Sequence, residues 1–342
     1  MKKVLIGCAV FIILAVGIYF LVLKPSSSPT DKPPAAVEQS ADSVKAWAPS
    51  GDHTYMLLNN VKFRFTDDIF IGVHRMLAIT EPLKPYKYVD MNDAKSFSLK
   101  IISGQCSIEP SVRENLFNKN VLNYEGSPLK DLKMEVVEVD VNGQKTAMLK
   151  INGKMKLVAW FPFEMLGTVG VDSETNSMTI DAYKIKSVGF PFVKNLLDMS
   201  GMKLSTLLSI EPGRGLSIKN NTMYVDVLNI TPPPKLAGRL LDAKVNPKTN
   251  CMDLTLGEQK PQEVQYSLLV PEAKNYIYIF NGALIFGKLL SSNGKLQLID
   301  TKPADDMDFY LKKYLLQLSK SEIRMTADAA MIVYIPDYQS MI

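Results

Sequence analysis

The residues able to carry acid–base, nucleophilic or redox chemistry are few in this 342-residue chain, which has two histidines and three cysteines. His53 and His74 have no cysteine, serine or acid at a spacing that would build a nucleophile–base pair, so each reads as a surface or sheet residue. No G-x-S-x-G, Walker loop, H-E-x-x-H or G-x-G-x-x-G occurs. Gly213-Arg214-Gly215 is too short to cradle a phosphate and reads as a turn. Asp300, Asp305, Asp306 and Asp308 are the best oxygen ligands for a hard cation such as Ca²⁺. Their run lacks the alternating acids and internal glycine of a calcium loop, and the last three suit the first turn of a helix. Cys106 and Cys251 would be able to bridge in an oxidising compartment; the alternative is two separate buried thiols. The chain is therefore expected to be non-enzymatic, with no catalytic residue, metal or cofactor.

Apolar residues at loop-like positions are the other candidates for a site. They fall in Trp160-Phe-Pro-Phe-Glu-Met-Leu166, in Gly189-Phe-Pro-Phe-Val193 and in the residues that follow. Proline cannot donate to a strand ladder, so the two Phe-Pro-Phe triplets belong at edges and strand ends. If they frame an apolar groove able to hold lipid acyl chains, its lining is Phe161, Phe163, Leu166, Phe190, Phe192, Leu196, Leu197, Met199, Met202 and Leu207. The alternative is that they seal an ordinary core. The 17 methionines suit either an adaptable lining or a gap-filling role.

The elements that must position these residues are mainly strands. Period-2 alternation dominates from about residue 51, as in Met178-Thr-Ile-Asp-Ala-Tyr-Lys-Ile185. Asn142-Gly143, Asn152-Gly153, Asn293-Gly294 and Asp172–Asn176 read as hairpin turns, and such short links favour antiparallel pairing. Further strands are expected at 145–160, 264–270 and 276–286, among others. Helices are expected at 111–122, where Ser111 and Glu114 form a capping box, and at 191–200 and 203–209. The clearest helical periodicity runs over 305–319. This pattern predicts an α+β fold: a long curved antiparallel sheet with a few amphipathic helices, preceded by a transmembrane helix.

That preceding helix is Val4–Leu23, twenty residues without a charge or proline, long enough to cross about 30 Å of hydrocarbon. Its length, and Lys24-Pro25 directly after it, favour an uncleaved anchor over a signal peptide. Cys8 reads as a residue of that helix rather than a lipidation site. Lys2 and Lys3 precede it and Lys24 follows, which places the N-terminus in the cytoplasm and residues 25–342 on the periplasmic or extracellular side of the inner (plasma) membrane. The expected organisation is an anchor at 1–24, a proline- and serine-rich linker at 25–50, and a strand-rich ectodomain at 51–342 with a sub-boundary near 257–263. The net charge of +4 says little about the ectodomain. Setting aside Lys2, Lys3 and Lys24 leaves 36 basic residues against 35 acidic. A nucleic-acid partner, which needs a basic face, is therefore not expected.

The stretch from about 115 to 257 resembles bacterial envelope proteins related to the tubular lipid-binding (TULIP-like) superfamily. The features that carry the resemblance are Asn123-Tyr-Glu-Gly-Ser-Pro-Leu-Lys-Asp-Leu132, Phe161-Pro-Phe163, Ile185-Lys-Ser-Val-Gly-Phe-Pro191, Gly201-Met-Lys-Leu204 and Pro232-Pro-Pro-Lys-Leu-Ala-Gly-Arg239. The C-terminal part, with Phe286-Gly-Lys-Leu289 and Ile335-Pro-Asp337, looks like an uncharacterised protein type. The resemblance implies a curved sheet wrapped on a helix with a lipid-holding seam, and it transfers no catalytic residue. The function expected is a membrane-anchored, non-enzymatic lipid-binding or lipid-handling protein of the cell envelope, its partners the membrane through residues 4–23 and lipid acyl chains. The alternative is an envelope scaffold or assembly subunit that binds other envelope proteins through a solid-core ectodomain.

Overall fold

Alternating apolar and polar residues set most of the chain as strand, because side chains on an extended backbone point to opposite faces in turn. The computed structural model describes residues 53–156, 159–187, 203–258 and 266–342, all within one compact unit, Trp47–Ile342. In chain order its first ten strands are β1 Thr54–Arg64, β2 Phe70–Pro82, β3 Val89–Asp90, β4 Phe97–Ile108, β5 Leu129–Val141, β6 Gln144–Lys156, β7 Trp160–Asp172, β8 Ser177–Ser187, β9 Leu216–Lys219 and β10 Thr222–Val225. The others are β11 Lys235–Ala237, β12 Leu240–Asn246, β13 Cys251–Gly257, β14 Tyr276–Phe280, β15 Ala283–Phe286, β16 Leu289–Ser292, β17 Lys295–Asp300, β18 Met307–Tyr310, β19 Glu322–Met325 and β20 Met331–Ile335. Three short helices punctuate them: α1 Pro110–Asn115, continued by a π-helical stretch Leu116–Val121, α2 Leu204–Leu207 and α3 Tyr314–Leu318.

An eleven-stranded sheet runs β12-β13-β4-β2-β1-β14-β17-β20-β19, with β11 beside β4 and β18 beside β1. Most of its pairs are antiparallel; β1/β18, β4/β11 and β17/β20 are parallel. A six-stranded antiparallel sheet runs β5-β6-β7-β8-β10-β9, and β16-β15-β3 form a third, small sheet. One apolar core joins the two large sheets, combining Phe63, Ile71 and Leu256 with Met134, Ile151, Met165 and Met223. A smaller cluster, Tyr55, Leu57, Leu77, Tyr276 and Tyr278, lies on the other face of the eleven-stranded sheet under Tyr266, Leu268 and Leu269. The central strands are thus covered on both faces, which accounts for unbroken apolar runs such as Tyr55–Leu58.

The α+β expectation is corrected. The described residues are 54% strand and 11% helical, and no helix among them is long and apolar enough to cross a membrane. The segment 4–23, the linker 25–50 and the helix expected at 191–200 lie outside the described residues. The sub-boundary near 257–263 lies partly outside them, and β13 and β14 on either side share one sheet.

The helix expected over 305–319 is the clearest local misreading. Met307–Tyr310 is instead β18, paired in parallel with Val61–Arg64, and all four of its residues are buried. Asp308 is not a helix-terminal acid: its carboxylate accepts two hydrogen bonds from Arg64, at 3.0 Å from Nε and 2.9 Å from Nη2. Helical character is left only to a 3₁₀ turn at Leu311–Lys313 and to α3. The capping box is absent as well. Glu114 turns to β5, accepting from Met134 N–H at 3.1 Å and from Lys133 Nζ at 2.8 Å.

Asn142-Gly143 does turn β5 into β6, both residues at positive φ. Asn152-Gly153 makes no turn and lies inside β6. A Cβ at Gly153 would stand 2.5 Å from Leu132 Cδ2 and 3.2 Å from Phe163 Cε1, so glycine there serves close packing between neighbouring strands. The strand expected at 145–160 is two, β6 and β7, and that at 276–286 is also two, divided at Asn281-Gly282. Residues 266–270 form no strand.

Candidate ligand cleft at Trp160

Asn118, on the π-helical stretch, places the wall of a cleft of ligand size. Its side chain accepts from Leu132 N–H at 2.9 Å and donates to Leu132 O at 2.8 Å. It thereby holds an irregularity in β5, where pairing with β6 skips from Lys130 to Lys133 and Asp131 takes φ +55°. Lys156 N–H bonds to Pro128 O at 2.8 Å, which closes the base of the Asn123–Pro128 loop against the end of β6. Across from that loop stands Trp160, the first residue of β7 and 37% exposed.

The cleft so formed measures about 470 Å³ and is bordered by Asn115, Lys119, Tyr124, Leu129, Lys130, Lys156 and Trp160 among others. Its volume falls in the range of about 300–1,000 Å³ typical of small-molecule sites. Tyr124 is fixed from behind: its hydroxyl accepts from Glu211 N–H at 3.1 Å, and the Arg214 guanidinium lies 4.7 Å from its ring centroid. Ser127 Oγ is engaged with Leu129 O at 2.9 Å.

The charge balance decides what the cleft can hold. Lys119 is paired with Asp68, and Asp131 with Lys154 at 2.9 Å. The hydrogen bond from Lys154 lowers the Asp131 carboxyl pKa below its usual value. Lys130 lies 4.1 Å from the Trp160 ring centroid, a cation–π contact. Among the described residues, neither Lys130 nor Lys156 has a carboxylate partner. The lining therefore presents two ammonium groups outside any ion pair beside an exposed indole, Lys130 also lying in the field of the Asp131 carboxylate. It offers hydrogen bonds and positive charge to an anion. Its one carboxylate, Asp131, is already paired, and the lining holds no histidine or cysteine.

Of the expected acyl-chain lining, Phe161, Phe163, Leu166 and Leu207 are among the described residues. Phe163 is buried beneath the inner face of the six-stranded sheet, with Leu129, Met134, Met155, Met165, Leu204 and Met223 around it. The gap they enclose is about 10 Å³, no more than one water probe needs. Leu207 packs on the same core, and Phe161 is half-buried. Leu166 alternates with Met165 and so points to the opposite face of β7. Phe190, Phe192, Leu196, Leu197, Met199 and Met202 lie outside the described residues.

The other candidates are placed apart. His74 sits where the β2–β4 pairing shifts, bordering a second cleft of about 360 Å³ with Lys244, Asn246, Cys251 and Asp253. Cys106 is opposite Leu254, three residues along β13 from Cys251, and both thiols are free. Burial pushes the Cys106 thiol up to about 12, which leaves it protonated and unreactive at neutral pH. Asp300 accepts from Asn275 Nδ2 at 3.0 Å and from Lys302 N–H at 2.7 Å. No three His, Cys, Asp or Glu side chains among the described residues are placed to hold a metal ion.

Comparison with known proteins gives no match: no family model fits the chain, and no curated protein or solved structure is similar to it. The likeness to envelope lipid-binding proteins therefore rests on the sequence features alone. Those features already contained one side of the cleft, Asn123–Leu132, and at Phe161 came one residue short of Trp160. They carried no signal that the Lys130 and Lys156 ammonium groups would meet there, since that depends on the β5–β6–β7 register.

Proposed function

We propose that this chain is a non-enzymatic binding protein that holds the anionic headgroup of an amphiphile, such as a lipid, in the cleft beside Trp160. The observation that carries this reading is the pair of ammonium groups, Lys130 and Lys156, neither held in an ion pair, beside an exposed indole in a cleft of ligand size. Positive charge on a concave surface concentrates anions, and the indole supplies an apolar face for the carbon portion of the ligand. Leu129 supports the amphiphile in particular, because it borders both the cleft and the methionine-rich interior.

A titration with glycerol phosphate at low salt, read by tryptophan fluorescence, tests the reading. The signal should saturate, weaken as salt is added, and disappear in Trp160→Phe, which retains Trp47. Failure to saturate at millimolar ligand, or an undiminished response in Trp160→Phe, would refute it. A second reading, a protein-binding scaffold, is favoured by one observation, the filled interior around Phe163.

A further inference from the structure

The eleven-stranded sheet ends at β19, which pairs with β20 on one side and, among the described residues, with nothing on the other. All four of its residues are exposed, Ile323 at 51% and Met325 at 66%. Edge strands are commonly protected from further pairing by charged side chains, proline, a bulge or shortness. Glu322-Ile-Arg-Met325 is short and carries two charges, but these are of opposite sign; it has no proline, and its register against β20 is regular from Glu322↔Tyr334 to Met325↔Met331.

The backbone geometry shows which groups face outward. Thr326 N–H donates to Ala330 O at 2.9 Å, one step beyond that register. Backbone groups in an antiparallel ladder turn toward alternate sides. Arg324 and Glu322 therefore address β20, while Ile323 and Met325 direct their N–H and C=O groups to the open edge. The side chains divide as well. Ile323 lies opposite Val333, which is fully buried, so it continues the core face past the last covered strand. Glu322 and Arg324 share the other face, with Oε1 and Nε 2.7 Å apart and the guanidinium 5.0 Å from the Tyr334 ring centroid.

We infer that β19 is the contact through which two copies of this chain join, continuing the sheet across an antiparallel two-fold axis at Ile323. That register sets Ile323 against Ile323 of the second copy, with both backbone bonds exchanged. It also sets each Glu322 against the other copy's Arg324, so the charge pattern is complementary to itself, as a two-fold interface requires. Moving the axis by one residue sets Arg324 against Arg324 or Glu322 against Glu322. Just before β19 in the chain, α3 also exposes apolar residues, Leu315 and Leu316 at 51% and 47%. Its end is tied to β19 by Ser321 Oγ donating to Gln317 O at 2.8 Å.

Sedimentation velocity of the full chain from nanomolar to high micromolar concentration, with charge-reversal variants, tests this. Wild type should show a monomer–dimer equilibrium. Glu322→Arg and Arg324→Glu should each weaken it by about tenfold or more, and the double reversal should restore it. Under mild oxidation Ile323→Cys should form a covalent dimer beyond any seen in wild type, and Met325→Cys should not, because its partner position is not another cysteine. These residues are exposed, so the variants should keep the wild-type circular dichroism spectrum. A monomer at every concentration, a dimer indifferent to charge reversal, or no added cross-link at position 323 would each overturn the inference.

Discussion

Arg64 and Asp308 place two full charges where almost no solvent reaches, at 2% and 4% exposure. The pair is sustained because the guanidinium is otherwise satisfied, donating to Asp67 O at 2.8 Å and lying 4.7 Å from the Phe70 ring centroid. Removing either partner leaves the other buried without compensation, so Arg64→Leu and Asp308→Leu should each cost about 3–5 kcal/mol in urea unfolding, and the double variant clearly less than their sum. Arg113 is a different case, buried with no carboxylate on it. It donates to Ile108 O, Asn250 O, Asn250 Oδ1 and Met134 O, joining α1, β5 and the β12–β13 turn. Asp337 carries a pH dependence. Burial, and then the nearby Asp300 and Asp308, hold its carboxyl above the usual carboxylate range, against the pull of the Asp308 N–H bond. A raised acid stabilises the fold while protonated. That contribution is complete below the unfolded value of about 3.9 and is lost as pH rises through the raised one. Asp337→Asn should therefore raise Tm relative to wild type at neutral pH, and calorimetry at about pH 4 should find most of that gain gone.

At the scale of elements, the short-range strand signals were legible and the long-range ones were not. Alternation marks β8 and the first half of β4, and Asn142-Gly143 and Asp172–Asn176 mark the β5–β6 and β7–β8 turns, because both signals depend only on neighbouring residues. Over 305–319 the same apolar spacing satisfies a helix, and nothing local reveals that β1 offers an open side to Met307–Tyr310. The resulting strand is selected by burial and by the Arg64–Asp308 pair, 244 residues apart in sequence. Gly153 failed for a related reason: Asn-Gly is a turn signal, yet its neighbours Leu132 and Phe163 arrive from other strands. Gly153→Ala should cost about 1–3 kcal/mol in stability through this crowding. Because Lys130 O would lie 3.1 Å from the new Cβ, the same substitution should also weaken ligand binding at the cleft.

At the scale of the molecule, the site is a product of assembly. The end of α1, a π-helical stretch, a loop and three strands all contribute side chains, and in sequence the ends of the cleft, Asn115 and Trp160, are far apart. Of the apolar residues expected to frame a groove, Phe163 lies among methionines that fill the space around it. What stays open is the polar mouth beside it. The most direct test of this account is the indole N–H resonance of Trp160 in a ¹H–¹⁵N NMR titration with glycerol phosphate, in wild type and in Lys130→Ala/Lys156→Ala. A saturable shift in wild type, weakened by about tenfold or more when both ammonium groups are removed, is the predicted result. An indole resonance that does not move, or one that moves equally in the double variant, would contradict it.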